Sequence, residues 1–107
     1  MALSVEVRTG SDAQVVITLW GELDQNTAAQ LRDTVAAVLT AHPPHLRVDL
    51  GQVTFVDSAG LGALVSADKR CRQIGCHLVL DGISETLHQR LHITGLTEVL
   101  RLSESPQ

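Results

Sequence analysis

The residues of this 107-residue chain best arranged to do chemistry are Asp57 and Ser58, which run on into Ala59, Gly60, Leu61 and Gly62. They stand where a short apolar piece, 53–56, gives way to helical spacing. Such a junction leaves backbone N–H groups unpaired and exposes the positive end of a helix dipole, so an anion is favoured there. The plainest use of Asp57 or Ser58 at this place is to cap the helix with a side-chain oxygen. A nucleophile elbow would also expose a serine on a strand-to-helix turn, but its G-x-S-x-G pattern needs glycine where this chain has Val56. The sequence places no histidine as an obvious base either, which argues against serine hydrolase chemistry.

Other reactive side chains are less well arranged. His88 and His92 lie four apart on a predicted helix, a spacing that lets two imidazoles share a metal, yet neither belongs to a motif such as H-E-x-x-H. Cys71, Cys76 and His77 form C-x4-C-H, which matches no standard zinc spacing and offers three ligands. Gly60 and Gly62 lack the Lys-Ser/Thr ending of a Walker A loop and the third glycine of a dinucleotide fingerprint. Their expected use is to let the helix start pack closely on a neighbouring strand or on a partner. No metal and no cofactor is expected.

Composition narrows the function classes. With 44% hydrophobic and 19% charged residues the chain lies in the globular range, and its length suits one domain with one core. Twelve acidic against eight basic residues give a net charge of −4, which repels phosphate backbones, and one Trp, one Phe and no Tyr leave no platform for stacking bases. Direct nucleic-acid binding is not expected. No apolar run approaches the roughly 18 residues of a membrane span, and the start lacks the basic and apolar regions of a signal peptide, so a cytoplasmic location is expected. In that compartment Cys71 and Cys76 remain thiols, read here as structural.

The elements that must position Ser58 follow from periodicity. Leu3, Val5 and Val7, then Val15, Ile17 and Leu19, alternate with mostly polar neighbours, predicting an antiparallel hairpin of strands 3–8 and 14–20. Gly21-Glu22-Leu23-Asp24 reads as the end of the second strand. Ala28, Leu31, Val35, Val38 and Leu39 form a helical stripe, with Thr27 and Gln30 resembling a capping box, or Asn26 or Asp24 supplying the cap, and His42-Pro43-Pro44 stopping it. Leu46, Val48 and Leu50 mark a third strand, which Gly51-Gln52 separates from 53–56. Beyond Ser58 the stripe Leu61, Leu64, Cys71 and Ile74 predicts a helix closed at Gly75. A buried strand at 77–81, a helix capped by Ser84 and running through Leu87 and Leu91 to Gly95, a strand at 99–102 and a frayed tail at 103–107 complete the chain. The order β-β-α-β-α-β-α-β implies an α/β fold with a mixed sheet.

Three pieces taken together, Gly21-Glu22-Leu23-Asp24 with Thr27-Ala28, then Val56-Asp57-Ser58-Ala59-Gly60-Leu61-Gly62, then Gly95-Leu96, resemble the anti-sigma factor antagonists, the STAS domains of bacterial partner-switching systems. The resemblance runs from about residue 3 to about residue 102. It implies the STAS fold in a single domain over 1–107, a mixed sheet of about five strands packed against three or four helices. It also implies a regulator, not an enzyme. Ser58 corresponds to the serine that a cognate anti-sigma factor, itself a serine kinase, phosphorylates; Asp24, Asp57, Ser58, Ala59, Gly60, Leu61 and Gly62 correspond to the partner-binding surface. The unphosphorylated form binds the anti-sigma factor and frees a sigma factor, phosphorylation reverses this, and a serine phosphatase is the expected second partner.

Two departures stand out. Many members continue into a further helix where this chain has 103–107, which leaves monomer or weak dimer open, and many carry Ser where this chain has Ala59, which leaves Ser58 as the one hydroxyl of the motif. The competing readings are a constitutive STAS subunit of a lipid-transport ATPase assembly, which uses the same surface unswitched, and a nucleotide or small-ligand sensor that uses the helix N-terminus as an anion site.

Overall fold

The computed structural model describes residues 2–10, 12–95 and 100. Its elements are β1 (Leu3–Thr9), β2 (Gln14–Leu23), α1 (Ala28–Leu39), β3 (His45–Val56), α2 (Ser58–Gln73), β4 (His77–Asp81) and α3 (Glu85–Ile93). The strands form one sheet in the order β1-β2-β3-β4. β1 pairs antiparallel with β2 from Leu3↔Gly21 to Thr9↔Val15, while β2–β3 and β3–β4 are parallel. Each parallel pair is joined through a helix, α1 or α2, because a parallel connection must return the chain to the same end of the sheet. Ile17, Leu19 and Leu23 of β2, Val48 of β3 and Leu80 of β4 form one fully buried cluster with Leu31 and Val35 of α1, Leu64 of α2 and Leu91 of α3.

Four strands and three helices stand among the described residues, where the sequence predicts about five strands and three or four helices. The strand predicted at 99–102 lies outside the described residues except for Leu100, which is buried, and Leu96 and the tail 103–107 lie outside them too. No helix among the described residues is long and apolar enough to cross a membrane.

Two predicted strand ends are instead irregularities inside longer strands. β2 runs through Gly21 to Leu23 and β3 runs through Gly51 to Val56. Between Thr18↔Asp49 and Trp20↔Gln52, β2 advances two residues while β3 advances three, and between Gly21↔Val53 and Glu22↔Phe55 it advances one against two. Each shift inserts one extra residue in β3, which breaks the period-2 signal without breaking the strand. Gly21 sits at φ +110, and a Cβ there would stand 2.3 Å from the Ala2 carbonyl oxygen, so this bend of β2 under β1 is open only to glycine.

Capping also differs in part from expectation. The Thr27–Gln30 box does not form: the Thr27 hydroxyl donates to the Glu22 carbonyl at 2.7 Å, and the Gln30 amide reaches the Leu3 carbonyl at 2.8 Å. No side chain caps α1, whose N-cap is Thr27; the Asp24 carboxylate closes the turn before the helix, accepting from the amides of Asn26 at 2.9 Å and Thr27 at 3.2 Å. Ser84 caps α3 as expected, its Oγ accepting from the Leu87 amide at 3.1 Å.

Candidate functional site

The strands β2 and β3 end side by side, Leu23 opposite Val56, and the chain leaves them in two directions, through Asp24 toward α1 and through Asp57 into α2. The Asp57 amide donates to the Leu23 carbonyl at 3.2 Å, so the ladder continues one residue past the strand. The Asp57 side chain then serves both paths: Oδ1 accepts from the Gly60 amide at 2.9 Å, and Oδ2 accepts from the Gln25 amide at 3.0 Å. One carboxylate caps α2 and ties the β2–α1 loop to it. Hydrogen bonds to an ionised acceptor are the stronger kind, which suits a joint between two elements.

With the cap supplied by Asp57, Ser58 is released from that task. It is the first residue of α2 and is exposed, and its hydroxyl has no hydrogen-bond partner among the described residues. The amides of Ser58 and Ala59 also find no backbone acceptor there. The corner therefore offers an open hydroxyl beside two open N–H groups at the positive end of a 16-residue helix.

The glycines divide between two tasks. Gly60 is buried, and a Cβ on it would lie 2.3 Å from the Leu23 carbonyl oxygen; the start of α2 thus rests directly on the backbone of β2. Gly62 is exposed, and the nearest atom to a Cβ there is Arg32 Nη2 at 3.8 Å. Of the residues expected to meet a partner, Ser58 and Gly62 face outward, Ala59 is half-buried, and Gly60 and Leu61 face the core. Asp24 and Asp57 are half-buried, with carboxylates that accept from backbone amides, Asp24 within its own loop and Asp57 from both Gly60 and Gln25.

Two further residues shape the corner. Arg90 of α3 donates from Nη1 to the Val56 carbonyl, two residues before Ser58. Phe55, 52% exposed, lies opposite Glu22, one residue before the end of β3, and Trp20, 39% exposed, lies opposite Gln52 further back along the sheet. Arg90 carries no motif and acts across 34 residues, so no local signal marks it.

The other candidates stand apart from this corner. His88 and His92 are exposed on α3 beside Gln89 and Ile93, and no cluster of three or more His, Cys, Asp or Glu is placed to hold a metal among the described residues. Cys71 and Cys76 are both buried thiols, and burial pushes Cys71 up to about 12.

Asp57→Ala removes both acceptors at once and is expected to lower stability by about 1–2 kcal/mol, with Asp57→Asn recovering part of it through its one carbonyl oxygen. Urea unfolding of the two variants measures this. An alanine variant as stable as the wild type would mean that the carboxylate does not hold the corner.

Residues 7–102 match the family model described as "Mlab, STAS domain". The chain is 33% identical over 102 residues to the anti-sigma-B factor antagonist of Listeria monocytogenes, covering 95% of this chain and 90% of that protein. Among solved structures, an anti-sigma factor antagonist from Mycobacterium paratuberculosis superposes with a TM-score of 0.85 at 25% identity, over 98% of this chain and 88% of that one. The Bacillus cell fate determinant SpoIIAA in its phosphorylated form shares the fold, with a TM-score of 0.73 at 19% identity over 95% of this chain and 93% of that one. The relatives are named for antagonism, a binding activity, and not for a reaction. On its sequence and its fold alike, the chain belongs to the STAS-domain family of anti-sigma factor antagonists, regulatory binding proteins rather than enzymes.

Proposed function

We propose that this chain is the switchable component of a cytoplasmic partner switch, acting as one domain. Its unmodified β3–α2 corner docks on an anti-sigma factor that is itself a serine kinase, and the docking frees a sigma factor. The kinase ends the complex by phosphorylating Ser58, and a serine phosphatase restores it. The observation that carries this reading is the division of labour at the corner: Asp57 caps α2, so the Ser58 hydroxyl is exposed and can be modified without uncapping the helix.

The electrostatics supports a switch of binding rather than of folding. A phosphate on Ser58 brings roughly −1.5 to −2 charges to a surface that already carries the Asp57 carboxylate. In the free domain that charge meets water, the helix dipole and the open amides of Ser58 and Ala59. Under a docked partner it meets a dry surface with no counter-charge of its own. The exposed Phe55 near the end of β3 fits such a docking face, since aromatic side chains are enriched at interface cores.

The test is a pull-down from native lysate with Ser58→Ala and Ser58→Glu baits side by side, read by mass spectrometry. Recovery of a serine-kinase anti-sigma factor by the alanine bait and its loss from the glutamate bait is the expected result. Equal recovery of a transporter ATPase by both baits would replace this reading with that of an unswitched subunit. A glutamate bait that is unfolded by circular dichroism would contradict the claim that the modification acts on binding.

A further inference from the structure

Cys71 and Cys76, the two cysteines of the chain, take no part in the corner at Ser58. They meet because of how α2 ends. The Cys76 amide donates to the Cys71 carbonyl at 2.8 Å and the Gly75 amide to that of Arg72 at 3.4 Å, with Gly75 at φ +76: a Schellman turn, which folds the second residue past the helix back over its last turn. The two residues so joined are both cysteines. The backbone hydrogen bond between them holds their Cα atoms in the short range that a disulfide spans.

Access is one-sided. Cys71 is fully buried, whereas Cys76, 4% exposed, lines a cavity of about 200 Å³ whose walls include Asp68, Arg72, Gly75, His77 and Leu78. A reagent a few heavy atoms in size fits that space, and it reaches Cys76 first.

We propose that Cys71 and Cys76 form a dithiol modification site at which a hydroperoxide drives an intramolecular disulfide. The Cys76 thiolate attacks the terminal peroxide oxygen; the O–O bond breaks, Cys76 becomes a sulfenic acid, and the other oxygen leaves as an alcohol after taking a proton. The Cys71 thiolate then attacks the Cys76 sulfur, and the S–S bond forms as hydroxide departs and is protonated to water. In sum, two thiols and one hydroperoxide give one disulfide, one alcohol and one water. The bond staples the last turn of α2 to the residue that precedes β4.

Burial raises both thiols, Cys71 further because the Cys76 thiol and the Asp68 carboxylate add to it. Both are therefore protonated near neutral pH, and the reaction speeds up as alkali supplies thiolate. In a reducing compartment the dithiol is the resting state and the disulfide marks oxidant exposure.

The experiment treats the folded full chain with tert-butyl hydroperoxide between about pH 7 and pH 9 and reads intact mass, peptide maps and oligomeric state. The expected product is a monomer that has lost two hydrogens, cross-linked between Cys71 and Cys76, formed about tenfold faster per pH unit over that range. Cys71→Ala is expected to stop at one or two added oxygens on Cys76, and Cys76→Ala to stay unreacted over the same time. Oxygen addition without hydrogen loss in the wild type would overturn the proposal. So would disulfide-linked dimers, or a folded chain that stays reduced while the urea-unfolded chain is fully oxidised.

Discussion

Gly60→Ala is expected to lower the stability of the fold by about 3 kcal/mol, although it adds a single methyl group to a helix. In an ordinary helix the same change stabilises by roughly 1 kcal/mol, because alanine loses less backbone freedom than glycine. At Gly60 the methyl would stand 2.3 Å from the Leu23 carbonyl oxygen and 3.0 Å from both the Leu23 carbonyl carbon and its Cγ, and a backbone carbonyl cannot swing aside as a side-chain tip can. α2 has to lift off β2. The same Leu23 carbonyl accepts the Asp57 amide, so lifting the helix strains the bond that sets Asp57, and with it Ser58, in place. Gly62→Ala is the matched control. Its methyl has Arg32 Nη2 at 3.8 Å as its nearest neighbour, and it is expected to stabilise the free domain by roughly 0.5–1 kcal/mol. Urea unfolding of both variants with unchanged m-values reads the difference; a Gly60→Ala midpoint equal to that of the wild type would refute the close approach of α2 to β2.

Phosphorylation of Ser58 is expected to weaken binding to the anti-sigma factor at least 100-fold while leaving the free domain nearly as stable as before. In the free domain two terms oppose each other. Repulsion between a phosphate dianion and a carboxylate on the order of 5 Å away in water amounts to roughly 1–2 kcal/mol, and the helix N-terminus returns roughly 0.3–1 kcal/mol. The remainder is about 1 kcal/mol, small beside typical folding free energies. Under a partner the balance changes, because burying an unmatched ion costs several kcal/mol and each 1.4 kcal/mol is tenfold in affinity. Two such factors give the 100-fold loss.

Local patterns in the sequence place the site but not its supports. Asp57 and Ser58 are visible as a strand-to-helix junction, but no local pattern displays the second use of the capping residue, the reach of Asp57 Oδ2 to Gln25 over 32 residues. Of the two uses expected of Gly60 and Gly62, packing on a strand is seen at Gly60 against Leu23, while Gly62 faces solvent. Gly21 and Gly51 read as breaks because a bulge and a strand end give the same local signal, a glycine and a lost alternation. Pairing with a neighbouring strand, which no single window contains, tells them apart. The Thr27–Gln30 capping box fails for a related reason: Glu22 and Leu3 offer carbonyls that draw both side chains away from the helix. Arg90 on the Val56 carbonyl is invisible until α3 is docked.

In the proposed switch the charge state of Ser58 decides whether the partner binds. Its most direct test is a calorimetric titration of the anti-sigma factor recovered by the alanine bait, once with the unmodified chain and once with a chain carrying phosphoserine at position 58. Tight binding by the first and at least 100-fold weaker binding by the second are expected, with both forms unfolding at nearly the same temperature. Affinities equal within about threefold would contradict it and leave Ser58 an exposed first residue of α2 with no part in the switch.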